Sequence, residues 1–494
     1  MLLLGIDVGT SSVKVAVINA MTQACLASVQ YPETESPVLA RQPGWAEQSP
    51  DMWWEHVQQA IRKAHALGNY DPQQIGAIGI AYQMHGLVTV DQSQKALRNA
   101  IIWCDSRAVQ TGDHAFRTIG EKKCLSHLLN SPGNFTASKL AWVKTHEPDV
   151  YRQIDKIMLP GDFIAMKLTG EITTSVPALS EGIFWDFKND ALSKDVFDYF
   201  GFSKTMIPGI RPVFSEHGRV RETIAKALSL KAGIPVCYKA GDQPNNALSL
   251  NVLEPGEVAA TAGTSGVIYG VSDKLTFDPL SRVNTFAHVN YEKELKRLGV
   301  LLCINGTGIL NRWIKETIAG YSDYADINRD ASTITAGSEG LRMLPFGNGA
   351  ERIFENKLIG AQLLNIDLNL HRKAHIFRAA QEGIAFSFRY GLDIMRESGM
   401  HPRVIRAGKA NMFLSPVFLE AFTNATGCTV ELYNTDGAIG AARGAGIGSG
   451  FYSSLKEAFS GMEKLSVIGP EKLLQEQYEE VYRSWLNDLN KFTR

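Results

Sequence analysis

Two short stretches combine glycines with hydroxyl residues. Asp7-Val8-Gly9-Thr10-Ser11-Ser12 lies between the apolar run Leu2–Ile6 and the β-branched run Val13–Ile18. Gly263-Thr264-Ser265-Gly266 lies between Val258–Ala262 and Val267–Tyr269. Glycines followed by hydroxyls at a strand–turn–strand expose several backbone N–H groups, which suit phosphate oxygens. A carboxylate at Asp7, just before the first turn, suits Mg²⁺ held through water while the turn holds nucleotide phosphates. Lys14, beyond that turn, fits either a phosphate contact or a solvated strand lysine. Neither stretch is GxxxxGK[ST] or GxGxxG, so the P-loop and the dinucleotide fingerprint are both excluded.

Asp242 is the sharpest catalytic candidate. It follows Lys239-Ala240-Gly241 at a strand end, where α/β sheets carry their ligand sites. A carboxylate there can accept a proton from a sugar hydroxyl as that oxygen attacks phosphorus. The competing reading is an aspartate that caps the following helix. Gln243 and Asn245 are polar neighbours suited to orienting a substrate. Gln83-Met84-His85-Gly86 ends another strand: His85 suits a donor to a sugar hydroxyl, and Met84 suits a cover for a carbon face. By residue type alone His85 also reads as a core histidine. Trp45, Trp103, Asp105 and Arg107 are further candidates for packing and polar contact with a sugar. His371 and His375 are spaced i,i+4 but lack the glutamate of HExxH, and no Cys/His group has zinc spacing. No GxSxG supports a serine nucleophile.

The elements that must hold these residues follow from apolar periodicity. Leu2–Ile6 and Val13–Ile18 read as a hairpin. Ser49 and Pro50 fit the cap and first position of a helix whose apolar residues recur at Trp54, Val57, Ile61 and Ala64. Ala77–Ala81 and Val236–Ala240 read as strands ending at the two polar stretches above. The segment from about Ala108 to Gly233 is richer in helix. Val258–Ala262 and Val267–Tyr269 form a second strand–turn–strand unit, which suggests two related domains facing one another. Ile376–Met395 reads as a core-facing helix, Val404–Ala407 as a strand, Asp436–Ala442 as a small-residue helix start, and Glu471–Leu489 as a last amphipathic helix. The fold class is therefore α/β. No low-complexity linker occurs, so the boundary is expected at a hinge between Asp242 and Pro255, giving units 1–247 and 248–494.

Composition narrows the function classes. The 494 residues hold 50 Lys and Arg against 51 Asp and Glu, a net charge of −1. That leaves no global positive field for nucleic acid or acidic membranes. The six cysteines form no CxxC pair and read as reduced thiols. No long charge-free apolar stretch and no signal peptide is read, so the expected compartment is the cytoplasm, with no membrane partner.

Ordered along the chain, these motifs resemble the FGGY carbohydrate kinases. The matching stretches include Gly5–Ser11, Gln42–Gln48, Gln83–Gly86, Ile102–Arg107, Phe135–Val143, Leu159–Phe163, Gly241–Gln243, Thr261–Gly266 and Leu344–Arg352. The resemblance implies two ribonuclease H-like, actin-like ATPase domains facing a central cleft. Sugar binds mainly to the N-terminal domain and ATP mainly to the C-terminal one. It implies Asp242 as general base, with Met84, His85, Asp105, Asp242 and Gln243 toward the sugar. Thr10, Ser11, Lys14, Gly263, Thr264, Gly308, Gly408 and Asn411 would meet the nucleotide, and Asp7 and Asp242 the Mg²⁺. Met84-His85 points to a five-carbon ketose, D-xylulose, phosphorylated at its 5-hydroxyl, since family members acting on glycerol carry an Arg-Glu pair there. Ribulose, glycerol or gluconate as acceptor, and a catalytically silent sugar or nucleotide sensor, are the alternatives. A homodimer is carried as an expectation from the same resemblance. The chain departs from the family pattern at Arg406-Ala407-Gly408-Lys409-Ala410-Asn411, at Pro244-Asn245-Asn246 and after Arg352.

Overall fold

The structure is a computed structural model that describes residues 1–320 and 322–493. Five strands form the first large sheet: β1 (Leu2–Val8), β2 (Val13–Asn19), β3 (Cys25–Tyr31), β4 (Ile75–Tyr82) and β5 (Val236–Gly241). Their order is β5-β4-β1-β2-β3. The hairpins β1–β2 and β2–β3 are antiparallel, while β4 lies parallel to both β1 and β5. Strands β1 and β4 are buried on both faces, as their near-continuous apolar runs require.

Seven strands form the second sheet: β6 (Val258–Ala262), β7 (Gly266–Ser272), β8 (Asn284–Ala287), β9 (Leu298–Ile304), β10 (Val404–Gly408), β11 (Thr429–Tyr433) and β12 (Lys464–Ile468). Their order is β8-β9-β7-β6-β10-β11-β12. Without its edge strands β8 and β12, this sheet repeats the arrangement of the first. Two antiparallel hairpin partners lie on one side of the lead strand, and two parallel strands on the other. Both halves thus have the ribonuclease H-like arrangement, and the two Gly-hydroxyl turns occupy equivalent positions after β1 and β6.

The helices fall where periodicity predicts them. Ser49 caps the helix Pro50–Leu67 by accepting from the Met52 N–H at 3.3 Å, the usual use of a serine at that position. Trp53, Val57, Ile61 and Ala64 of this helix face the core. The helix Lys373–Glu397 is buried along most of its length under the second sheet. The last helix, Lys472–Thr493, turns Tyr478, Tyr482, Trp485 and Leu489 into the same core.

One packing relation joins the halves. The helix Gly437–Gly448, which follows β11, lies on the first sheet. A Cβ on Gly5 would collide with the Ala438 carbonyl, one on Gly79 with that of Ala441, and one on Gly448 with that of Cys237. Glycine at these contacts lets helix and sheet backbones approach directly. No helix among the described residues is long and apolar enough to cross a membrane.

Candidate active site

Asp7 is the penultimate residue of β1, and Asp242 is the first residue of the helix Asp242–Ser249 that follows β5. With β1 and β5 both parallel to β4, the two carboxylates emerge at the same sheet end. Burial pushes the Asp7 pKa up to about 6, with Lys14 opposing and Asp436 adding to the rise. Burial followed by the charge of Asp7 pushes the Asp242 pKa up to about 7. Two buried oxygen-donor carboxylates, one raising the pKa of the other, fit a hard divalent cation completed by water and phosphate. Among the described residues no cluster of three or more acidic, histidine or cysteine ligands occurs, so any such ion would rely on those outside oxygens.

The helix Gly437–Gly448 brings its N-terminus to this pair. Asp436 caps it by accepting from the Ile439 N–H (2.9 Å). A Cβ on Gly437 would collide with the Asp7 carboxylate, so this position has no room for a side chain. Asn245 donates from Nδ2 to the Gly437 carbonyl (2.8 Å). The Asn245 Oδ1 and Gln243 Oε1 atoms are buried without partners, leaving acceptor capacity beside Asp242.

The first turn is fixed by a chain of side chains. Trp103 donates from its indole N–H to Thr10 Oγ1 (2.9 Å), and Thr10 donates onward to Gln83 Oε1 (3.0 Å). Gln83 donates to Gln48 Oε1 (3.1 Å), which also accepts from the Trp53 indole (3.0 Å), and Gln48 donates back to the Thr10 carbonyl (2.8 Å). The Thr10 hydroxyl proton is therefore committed, and among the described residues its backbone N–H remains as the donor. Ser11 is exposed. Lys14 is exposed on β2, directly opposite Asp7 in the hairpin register.

The second turn converges with the loop residues expected beside it. Gly263 accepts from the Gly308 N–H (2.9 Å) and Thr264 from the Ile309 N–H (3.1 Å). A Cβ on Gly308 would collide with the Gly263 carbonyl, and one on Gly263 would lie 3.5 Å from Asn411 Nδ2. Asn411 adopts a left-handed backbone, which asparagine tolerates better than most residues. Gly408 ends β10 alongside them. Cys303 of β9 pairs with Val267 of β7 just beyond this turn. A glycine-lined turn of this kind, with its backbone N–H groups, fits a polyphosphate chain.

Met84 and His85 form a wall next to Asp242. A Cβ on Gly241 would meet Met84 Cγ at 2.6 Å and Glu181 Oε1 at 3.5 Å. The His85 ring packs against Phe135 (4.8 Å between centroids) and Phe286 (5.2 Å). Its backbone is left-handed and is gripped from several sides. Glu181 Oε2 accepts the His85 N–H (3.2 Å), the Glu181 carbonyl lies 3.1 Å from Nδ1, and Lys139 donates to the His85 carbonyl (2.8 Å). Burial, with Lys139 and Arg352 nearby, holds the imidazole pKa down at about 3, so the ring is neutral. A carbonyl only accepts, so Nδ1 carries the proton and Nε2 is bare. The sequence reading has His85 as a donor to a sugar; with Nδ1 committed to Glu181, the other ring nitrogen is available as an acceptor.

One correction concerns Asp105. Its side chain is 0% exposed. Its oxygens accept from the Ala46 N–H (2.6 Å), the Arg107 N–H (2.9 Å) and the Arg107 guanidinium (2.7 Å to Nη2). With every oxygen occupied, it anchors Arg107 under Trp45 and has none left for a sugar. Trp103 in the same loop is 46% exposed and stays open to a ligand.

Three residues enter the site without a role assigned from sequence. Glu181 is a lone acid in the apolar helix Val176–Glu181, so nothing local signals that it grips His85. Phe286 comes from the second half of the chain. Arg352 stands over the Phe135 ring, 5.7 Å from its centroid.

The comparisons agree with this geometry. The model of the FGGY family of carbohydrate kinases, N-terminal domain, matches residues 2–249, and that of the C-terminal domain matches residues 258–449. A protein of Bacillus subtilis (strain 168) named xylulose kinase is 28% identical over 508 residues, covering 99% of this chain and 97% of its own. The crystal structure of xylulose kinase from Rhodospirillum rubrum superposes with a TM-score of 0.87 at 23% identity, covering 100% of both chains. That of gluconate kinase from Lactobacillus acidophilus gives a TM-score of 0.89 at 20% identity, covering 100% of this chain and 98% of its own. With its paired ribonuclease H-like sheets and two acids at the strand ends between them, the chain belongs to the FGGY family of carbohydrate kinases and is an ATP-dependent sugar phosphotransferase.

Proposed function

We propose that the enzyme phosphorylates D-xylulose at its terminal 5-hydroxyl, forming D-xylulose 5-phosphate. The observation that carries this reading is the pocket beside Asp242: a neutral wall of Met84, His85 and Phe135. Such a wall suits a short polyhydroxy chain, packing against its carbon face and accepting from a hydroxyl at His85 Nε2. The relatives named xylulose kinase support the choice of sugar.

In this reading Asp242 accepts the O5 proton as O5 bonds to the γ-phosphorus and the bond from that phosphorus to the β,γ-bridging oxygen breaks. ATP supplies the phosphoryl group, and Mg²⁺ supplies charge neutralisation at its oxygens when bound. Asp7 and Asp242 would hold the ion, while Ser11, Lys14, Gly263, Thr264, Gly308, Gly408, Asn411 and the Thr10 N–H would line the nucleotide. Gln243 and Asn245 supply acceptors next to the base. Sugar binding draws the halves together, excluding water as a competing nucleophile.

The test is a kinase assay with ATP and Mg²⁺ over xylulose, ribulose, glycerol and gluconate, run alongside Asp242→Asn. Xylulose should have the highest kcat/KM. The variant should lose about 10²–10⁴-fold in kcat while still binding sugar. Another acceptor well ahead of xylulose would refute the choice of sugar. Sugar binding by the wild type with no transfer to any acceptor would indicate a sensor.

A further inference from the structure

Arg352 opens the short helical turn Arg352–Phe354 in the second half of the chain, yet its guanidinium reaches the Phe135 ring of the first half. It also acts on the His85 ring, whose pKa it helps to lower. Among the described residues this guanidinium has no hydrogen-bond or ion-pair partner, and the ionisable group acting on it is the Cys303 thiol. More deeply set arginines differ: Arg107 pairs with Glu47 and Asp105, and Arg378 with Glu382.

The carboxylates nearby are already occupied. Glu351 accepts from the Asn305 N–H (2.9 Å) and the Gly306 N–H (2.8 Å), which fixes the chain just before Arg352. Glu181 accepts from Tyr82 (2.9 Å) and from His85. A guanidinium presents five N–H donors, and those of Arg352, a half-buried residue, are not sealed from solvent. An acceptor entering the pocket can replace the water they meet with its own oxygens. Met84 abuts Gly241 next to Asp242, and His85 and Phe135 continue that wall, so Arg352 over the Phe135 ring faces the same pocket.

We infer that Arg352 is a substrate-binding residue delivered across the cleft, donating to carbonyl and hydroxyl oxygens of the acceptor where it lies against Phe135 and His85. The inference rests on the proposed sugar-kinase reading of this pocket. An acceptor held by His85 on one side and Arg352 on the other bridges the two halves of the chain. Arg352 thereby links acceptor recognition to closure, and it favours acceptors that offer it a carbonyl or carboxylate over a plain polyol.

The experiment compares wild type, Arg352→Met and Arg352→Lys, measuring KM for the best acceptor, KM for ATP, kcat and acceptor affinity by calorimetry without ATP. Acceptor KM and dissociation constant should both rise about tenfold or more in the methionine variant and less in the lysine variant. KM for ATP should stay within about twofold. The loss should be smaller for xylitol, which lacks the carbonyl, than for xylulose. Because the guanidinium holds no protein partner among the described residues, both variants should fold, which circular dichroism checks. Unchanged acceptor affinity with a reduced kcat would overturn the inference and assign Arg352 to the transferred phosphoryl group. A preferred sugar acid whose KM rises in the variant supports the inference while refuting xylulose. No transfer to any acceptor by the wild type overturns both.

Discussion

Glu181 holds His85 twice, through its carboxylate to the backbone N–H (3.2 Å) and through its own carbonyl to the ring Nδ1 (3.1 Å). The first contact supports a left-handed residue, and the second sets the tautomer that the cleft meets. Glu181→Ala leaves the His85 N–H and the Tyr82 hydroxyl without this acceptor. Each group that stays buried then costs about 1–3 kcal/mol. Sugar KM should rise about tenfold and thermal stability should fall, with ATP KM unchanged. Glu181→Gln keeps a carbonyl acceptor and should recover most of both. Equal sugar KM in all three proteins would remove this positioning role.

The pH profile should carry the signature of Asp242 and not of His85. A general base works unprotonated, and burial beside Asp7 raises the Asp242 pKa to about 7. kcat/KM for the sugar should fall on the acid side as Asp242 protonates and level toward higher pH, and raising Mg²⁺, which offsets the neighbouring Asp7 charge, should move the limb to lower pH. His85, with its pKa held at about 3, contributes no limb in the neutral range. His85→Asn should therefore raise sugar KM while leaving the position of the limb unchanged. A limb that disappears in this variant would assign the titration to the imidazole.

Gly437→Ala tests the closeness of the two halves at the Asp7 and Asp242 carboxylates. The added methyl would collide with Asp7, and relieving that clash means lifting the helix off its close contacts with Gly5 and Gly79 of the same sheet. The expected cost is about 1–3 kcal/mol in urea unfolding, with a larger loss of kcat than of sugar affinity. Gly209→Ala, where a Cβ has open space, is the control. Its stability should stay within about 0.5 kcal/mol of wild type. An active, stable Gly437→Ala enzyme would show that the carboxylate has more room than this packing allows.

Much of the scaffold was legible because each strand and helix announces itself locally. Leu2–Ile6 and Val13–Ile18 carry strand residues around a turn, and Ser49-Pro50 precedes a helical period; both appear as read. Asp242 was legible because a strand running into Gly-Asp exposes its carboxylate at the sheet edge. Asp105 misled because a carboxylate beside an exposed tryptophan looks available, and only tertiary packing shows Arg107 and the Ala46 N–H consuming it. The direction of hydrogen bonding at His85 depends on a carbonyl far along the chain, at Glu181, which no local pattern encodes. Arg352 stands in a quoted motif, but its lack of a protein partner emerges only when its surroundings are assembled.

The seating of Gly437–Gly448 on the first sheet has a consequence for biosynthesis. Strand β5 is complete at Gly241, but the helix covering that sheet begins only at Gly437. At ordinary rates of ribosomal synthesis that gap lasts tens of seconds. Throughout that interval the nascent first half carries a bare apolar surface. A fragment ending near the middle of the chain would keep that surface for good, and a chaperone that shields it has its task defined by a helix the ribosome has not yet reached.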